Sequence, residues 1–208
     1  MTETTEQRAP EIPAVNAIAD PAPLGLGAFA ATTFALSLVN ARVLPAESEP
    51  IVLPFALFYG GIAQIFAGLW EFRNNRNTFG ATAFTSYGAF WVTFFLLVTQ
   101  FVDDIPADQR GNAIGTYLLA WTVFTFYMWV GSLRLNGALA AVFTALLATF
   151  ALLTLGEFFD TTWLTRLGGW IGVLTAVLAW YVAAAVLINS TYQRTVLPVW
   201  PVQRRTLA

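Results

Sequence analysis

Six runs of apolar residues, separated by short polar stretches, dominate the sequence. Each run is close to the roughly 20 helical residues that cross a hydrocarbon core of roughly 30 Å. Asp, Glu, Lys and Arg are absent from all six. The period-two alternation typical of membrane barrel strands does not appear. The pattern predicts an all-α integral membrane protein, a bundle of six transmembrane helices at 24–41, 51–70, 79–101, 114–133, 138–155 and 167–188.

The two ends of the chain are polar and predict tails. We expect a disordered N-terminal tail over 1–19, a transmembrane domain over 20–199 and a C-terminal tail over 200–208. The first tail lacks the positive segment followed by an apolar segment that marks a signal peptide. An even number of crossings places both termini on one side of the membrane.

The distribution of arginine predicts which side that is. The chain is only 11% charged, against about 25% in soluble domains. Its bases are all arginines, and seven of the ten fall on the side of the termini, leaving three on the other side. Loops rich in Arg and Lys stay in the cytoplasm. We therefore predict both termini in the cytoplasm and a multi-pass protein of the inner, or plasma, membrane.

Several kinds of chemistry have no residues to support them. The sequence contains no cysteine and no histidine, which removes the usual thiolate and imidazole ligands of metals and haem. No nucleophile–base pair suggests an enzyme, and no basic tract suggests a nucleic-acid partner. We expect no cofactor, and we expect the lipid bilayer and a small solute as partners.

One stretch over 58–91, FYGGIAQIFAGLWEFRNNRNTFGATAFTSYGAFW, carries most of the candidate chemistry. Gln64 and Glu71 are two helical turns apart and so share one face. An amide in a membrane needs a hydrogen-bond partner, so Gln64 either joins two helices or lines a pore. Glu71 either pairs with the nearby Arg73 at the interface or places a carboxylate at the inner mouth of a pathway.

Polar residues on the neighbouring helices are further candidates. A hydroxyl stripe precedes Tyr87 and indicates either close packing or a wet face; its members are Thr78, Thr82, Thr85 and Ser86. Asn40 ends the first helix, and Asp20 can cap its beginning.

Four motifs in the same order resemble those of the acetate uptake transporter family, which includes bacterial succinate–acetate permeases and fungal relatives. These motifs are DPAPLGL at 20–26, the stretch at 58–91, GGWIG at 168–172 and RTVLPV at 194–199. The resemblance covers the chain from about Asp20 to Val199.

The resemblance implies a fold, a function and a site. Members have six transmembrane helices, assemble as homohexamers and pass acetate, in some cases succinate, through a path in each protomer. A ring of Phe, Tyr and Leu narrows that path, and by alignment these are Phe29, Tyr87 and Leu146. Gln64 and Glu71 match the family pattern, and Ala179 aligns with a small position near the path. Asp20 stands where the family has asparagine, which places a carboxylate at the mouth.

Three functions are compatible with these residues. The first is a facilitative channel for acetate and other short monocarboxylates, favoured by the uncharged spans. The second is a proton-coupled symporter that uses Glu71 or Tyr87. The third is a membrane scaffold or sensor that transports nothing.

Overall fold

The computed structural model describes residues 18–73 and 77–202, and these contain six long helices. They are α1 (Ala22–Asn40), α2 (Ala46–Glu71), α3 (Thr78–Asp104), α4 (Arg110–Ser132), α5 (Gly137–Phe158) and α6 (Thr162–Tyr192), all long and apolar enough to cross a membrane. The predicted six-helix, all-α membrane fold is confirmed. Most of the two predicted tails, at 1–17 and 203–208, lies outside the described residues.

The helices are longer than the apolar runs that predict them. A tight 3₁₀ turn, Ala46–Ile51, precedes the apolar part of α2, and another, Val102–Asp104, ends α3. α6 continues through polar residues to Tyr192. The apolar runs mark the part that needs lipid or protein around it, whereas the backbone continues its hydrogen bonding into the polar interface.

Packing arranges the six helices in a ring. α1 packs against α2 and α6, α5 packs against α4 and α6, and α3 packs against α2. The backbones of α3 and α4 approach less closely, and aromatic side chains close the ring between them. Phe90 stacks on Tyr117 with ring centroids 5.8 Å apart, and it meets Trp121 edge-on at 5.2 Å.

Close packing of α1 against α6 depends on two glycines. A methyl group at Gly169 would lie 2.7 Å from the Cα of Ala41, and one at Gly172 would lie 3.1 Å from the Cβ of Ser37. Gly168, in contrast, faces the side chains of α5. The backbone-to-backbone contact is therefore made by Gly169.

A widened helical segment interrupts α2. Phe55–Ala63 has π-helical hydrogen bonding, and regular α-helix resumes at Gln64. The Thr32 hydroxyl of α1 donates to the carbonyl of Ala28 at 3.0 Å and lies 3.4 Å from that of Phe55. Such widened turns often accompany functional sites, and this one precedes a candidate site residue by one position.

The chain after α6 folds back over the turn between α4 and α5. The Asn189 side chain accepts hydrogen bonds from the N–H groups of Val196 (2.7 Å) and Leu197 (2.9 Å). The Gly137 N–H donates to the Trp200 carbonyl at 2.9 Å. These bonds hold residues 196–202 at the end of the bundle where α1 begins.

Candidate functional site

Two cavities occupy opposite ends of the helix ring. We call the cavity of about 320 Å³ at the end where α1 begins and α6 ends the inner cavity. Its lining includes Phe29, Gln64, Glu71, Tyr87 and Leu146. The outer cavity, about 330 Å³, lies at the other end, and none of the described residues lines both cavities. The outer lining includes Asn40, Glu49, Phe90, Tyr117, Phe150 and Glu157.

The three residues of the predicted ring come together at the inner cavity. Phe29 from α1, Tyr87 from α3 and Leu146 from α5 are all buried and all line it. The rings of Phe29 and Tyr87 are tilted, with centroids 5.6 Å apart. The side chains of three helices that are far apart in sequence thus form one apolar layer.

A second apolar layer, absent from the predictions, lies at the outer cavity. Phe90 is three residues after Tyr87 and Phe150 is four residues after Leu146, so each is one helical turn, about 5 Å, further along its helix. Their ring centroids are 5.3 Å apart. We call these five residues, Phe29, Tyr87, Leu146, Phe90 and Phe150, the septum.

The Tyr87 hydroxyl is a polar group within the septum. Its oxygen lies 2.9 Å from the hydroxyl oxygen of Thr125 on α4, and either atom can be the donor. The Tyr87 ring also contacts Phe124, with ring centroids 5.1 Å apart. Neither the apolar pattern nor the family motifs indicated Thr125, because its partner is 38 positions away.

The Glu71 carboxylate is fully buried in the lining of the inner cavity. One oxygen accepts a hydrogen bond from the Asn77 side-chain amide at 2.9 Å, and the same side chain caps α3 by accepting from the Gly80 N–H at 3.1 Å. A methyl group at Gly80 would lie 3.0 Å from the Glu71 carboxyl carbon. The carboxylate therefore lies at the N-terminus of α3, where the helix dipole stabilises negative charge.

The alternative interpretation of Glu71 as an interfacial pair with Arg73 is not supported. Arg73 is exposed, and the ion pair found between described residues joins Arg110 to Asp103 and does not involve Arg73. To reach the buried Glu71 carboxylate, the Arg73 guanidinium would have to lose part of its hydration, which is costly.

Asn77→Ala should destabilise the protein by about 2 kcal/mol. The change removes a helix cap, worth about 1 kcal/mol, and one donor to a buried carboxylate, worth a similar amount. The measurement is thermal unfolding in detergent. Asn136→Ala is the matched control, because Asn136 caps α5 through the Leu139 N–H at 2.8 Å and binds no carboxylate in the described chain. Equal losses for both variants would contradict the second role of Asn77.

Gln64 presents a polar group to the inner cavity. Its side chain is 1% exposed, and its Oε1 has no hydrogen-bond partner among the described residues. A buried amide oxygen without a partner is costly, so water or a solute in the cavity would satisfy it. Gln64 had two interpretations, a hydrogen bond between helices and a pore-lining side chain. The described part of the chain shows no hydrogen bond from Gln64 to another helix.

The hydroxyl stripe of α3 lies elsewhere. Thr82, Thr85 and Ser86 line neither cavity. Thr85 faces α2, where a methyl group at Gly68 would lie 2.5 Å from the Thr85 backbone nitrogen. The stripe thus includes a close contact between two helices, which was the simpler of its two interpretations.

Three further candidates occupy different places. Ala179 is fully buried and lines neither cavity, although Val182 in the next turn lines the inner one. Asn40 lines the outer cavity. Asp20 is exposed, and its carboxylate accepts from the Ala22 N–H at 2.9 Å, so it closes a turn before α1.

Comparison with known proteins gives one consistent picture. The model of the GPR1/FUN34/yaaH family matches residues 4–204. The succinate-acetate/proton symporter SatP of Escherichia coli K12 is 41% identical over 182 residues, which cover 88% of this chain and 95% of that protein. Acetate permease A of Emericella nidulans is 37% identical over 196 residues, covering 87% of this chain and 65% of the permease.

A yeast relative is longer than this chain, and a solved structure matches it. Accumulation of dyads protein 2 of Saccharomyces cerevisiae is 42% identical over 177 residues, and the match covers 82% of this chain but 62% of the yeast protein. A solved structure of the bacterial acetate channel SatP superposes on this chain with a TM-score of 0.82 at 41% identity. That superposition covers 88% of this chain and 99% of the other.

Proposed function

The chain belongs to the GPR1/FUN34/yaaH family, and we propose that it transports acetate across the membrane. The path runs from the outer cavity through the septum to the inner cavity of each protomer. The main observation behind this proposal is that two cavities lie at opposite ends of one helix ring. Only the two apolar layers of the septum separate them among the described residues.

The chemistry of the lining suits a small carboxylic acid. The inner cavity is mostly apolar, with Gln64, Glu71, Asn77, Tyr87 and Asn136 as its polar lining residues. Binding sites for small molecules commonly combine an apolar wall with a few placed polar groups. Phe29 and Leu146 can contact a methyl group, while the Tyr87 hydroxyl can bond the carboxyl end. Succinate, with a second carboxyl group, would need more room at the septum.

The charges along the path favour passage of the neutral acid. No arginine is among the residues that line either cavity in the described chain, whereas Glu71 lines the inner one and Glu49 and Glu157 line the outer one. An unpaired anion pays a large desolvation cost in an apolar septum, and the two carboxylates of the outer cavity repel it. Passage of neutral acetic acid carries one proton with each acetate, so a facilitated pore and a one-to-one symporter have the same driving force.

Uptake of labelled acetate into proteoliposomes tests the proposal. Without a pH gradient we expect uptake that stops at equal concentrations inside and outside. With acid outside we expect transient accumulation, because the proton gradient drives the neutral acid inwards. Liposomes that stay sealed to acetate in both conditions would instead favour a scaffold or sensor, and accumulation independent of the gradient would contradict the neutral-acid route.

Glu157→Gln should raise the ratio of the acetate uptake rate at pH 7 to the rate at pH 5 by about threefold. At pH 7 acetate enters the outer cavity as the anion, before it takes up the proton with which it crosses the septum. Removing one carboxylate from that cavity lowers the repulsion at this entry step by an amount on the order of 1 kcal/mol. Rates of labelled uptake at the two pH values provide the measurement. Glu47→Gln is the control, since Glu47 is exposed and lines neither cavity. A similar shift in both variants would point to surface charge rather than to the cavity.

Assembly as a homohexamer in the plasma membrane is part of the same proposal and rests on the family resemblance. Large apolar side chains on the outside of α2, such as Phe58 and Phe66, are more than half exposed in the single chain. They suit contact with lipid or with neighbouring protomers. The mass of the purified protein, corrected for bound detergent, tests the number of chains.

A further inference from the structure

We propose that Thr125 is a positioning residue, through which the Tyr87 hydroxyl can act either as donor or as acceptor toward a carboxyl group crossing the septum. This inference rests on the proposed transport of acetate. Thr125 lies in the middle of α4, and its hydroxyl has an unusual hydrogen-bond partner.

Threonines in these helices mostly bond their own backbone. Ten of them donate to the carbonyl four residues earlier: Thr32, Thr93, Thr99, Thr116, Thr122, Thr144, Thr149, Thr154, Thr175 and Thr191. That arrangement is the usual way a helical threonine uses its proton inside a membrane. Thr125 is different, because its partner in the described chain is the Tyr87 hydroxyl.

The two hydroxyls of Tyr87 and Thr125 carry two protons, and the hydrogen bond between them uses only one. Both hydroxyls are nearly or fully shielded from solvent, with Tyr87 2% and Thr125 0% exposed. If Thr125 donates, the Tyr87 proton is available to a carbonyl oxygen in the inner cavity. If Tyr87 donates, its oxygen still has a lone pair for the O–H of a carboxylic acid. A threonine that donated to its own backbone would permit only the second arrangement.

This property matters for a neutral acid in particular. A carboxylic acid presents one acceptor and one donor, and both lose water at the septum. A hydroxyl that can switch between the two roles satisfies whichever end faces Tyr87 during passage. Thr125 lines neither cavity, so it acts through Tyr87 and does not touch the solute.

The test is a double-mutant cycle in proteoliposomes, with the initial rate of labelled acetate uptake as the readout. Thr125→Val keeps the shape and removes the hydroxyl, and should lower the rate about three- to tenfold, the effect of one ordinary hydrogen bond. In a Tyr87→Phe background the same change should have no further effect. Thr125→Ser, which keeps the hydroxyl, should transport acetate at the wild-type rate.

A control variant separates this role from general packing. Thr122→Val removes a hydroxyl one turn earlier on α4 that donates to the Leu118 carbonyl and lies 3.0 Å from the Thr154 hydroxyl oxygen. It should leave the rate within about twofold of wild type, and thermal unfolding of each variant reports on folding.

Three results would overturn the inference while leaving acetate transport intact. They are an unchanged rate in Thr125→Val, an equal loss with and without Tyr87→Phe, and a Thr125→Ser variant as slow as the valine. Wild-type protein that passes no acetate would instead overturn the proposed function, and the inference would fall with it.

Discussion

Phe29→Ala is expected to raise acetate flux by about tenfold and to weaken selection against larger carboxylates such as benzoate. Phe29 contributes the α1 side of the septum, and its ring packs against Tyr87 at 5.6 Å. Removing a ring from a close-packed interior leaves a void that the surroundings fill only in part. A tenfold change corresponds to a barrier lower by about 1.4 kcal/mol, which is comparable with the roughly 1.5–3 kcal/mol that burial of such a side chain contributes.

The measurement is uptake of labelled acetate and benzoate into the same proteoliposomes. Phe34→Ala is the matched control, because Phe34 lies on the same helix but packs against Trp180, at 5.2 Å, and lines neither cavity. It should leave the ratio of the two rates unchanged. If both alanine variants alter the ratio equally, the change reflects a loosened α1 and Phe29 is no barrier to the solute.

Gly169→Ala is expected to lower the stability of the protein by about 2 kcal/mol or to prevent folding. The new methyl group would meet the backbone of α1, with the Ala41 Cα at 2.7 Å, and a backbone cannot move aside as a side-chain end can. Overpacking of this kind costs about 1–3 kcal/mol, although alanine favours the helix by about 1 kcal/mol over glycine. Thermal unfolding and yield of folded protein in detergent measure the loss.

Gly27→Ala provides the comparison within the same bundle. A methyl group at Gly27 would lie 3.2 Å from the Tyr59 hydroxyl, which is the end of a long side chain and can shift. We expect this variant to stay within about 1 kcal/mol of wild type. If both substitutions destabilised the protein equally, the clash with the α1 backbone at Gly169 would not be the cause of the loss.

The candidate site could be predicted from the sequence in part. Phe29, Tyr87 and Leu146 followed from the family resemblance, whereas the apolar pattern alone ranked Phe29 and Leu146 no higher than any other apolar helix residue. Phe90 and Phe150 carried a weak signal, since each lies one turn beyond a ring residue. The hydroxyl stripe was ambiguous because threonine serves close packing and polar lining equally well in a membrane helix.

By itself, the sequence determined that this is a six-helix membrane protein, because about 20 uncharged residues cannot remain in water and a spanning backbone must satisfy its own hydrogen bonds. Only the tertiary structure decided which side of each helix faces the path. Lipid tails are as apolar as a protein core, so a helix that is apolar all round does not reveal its buried face. The Asn77 contact of Glu71, the outer layer of the septum and the pairing of Tyr87 with Thr125 all depend on how the helices are rotated, and that rotation is set by packing between distant segments.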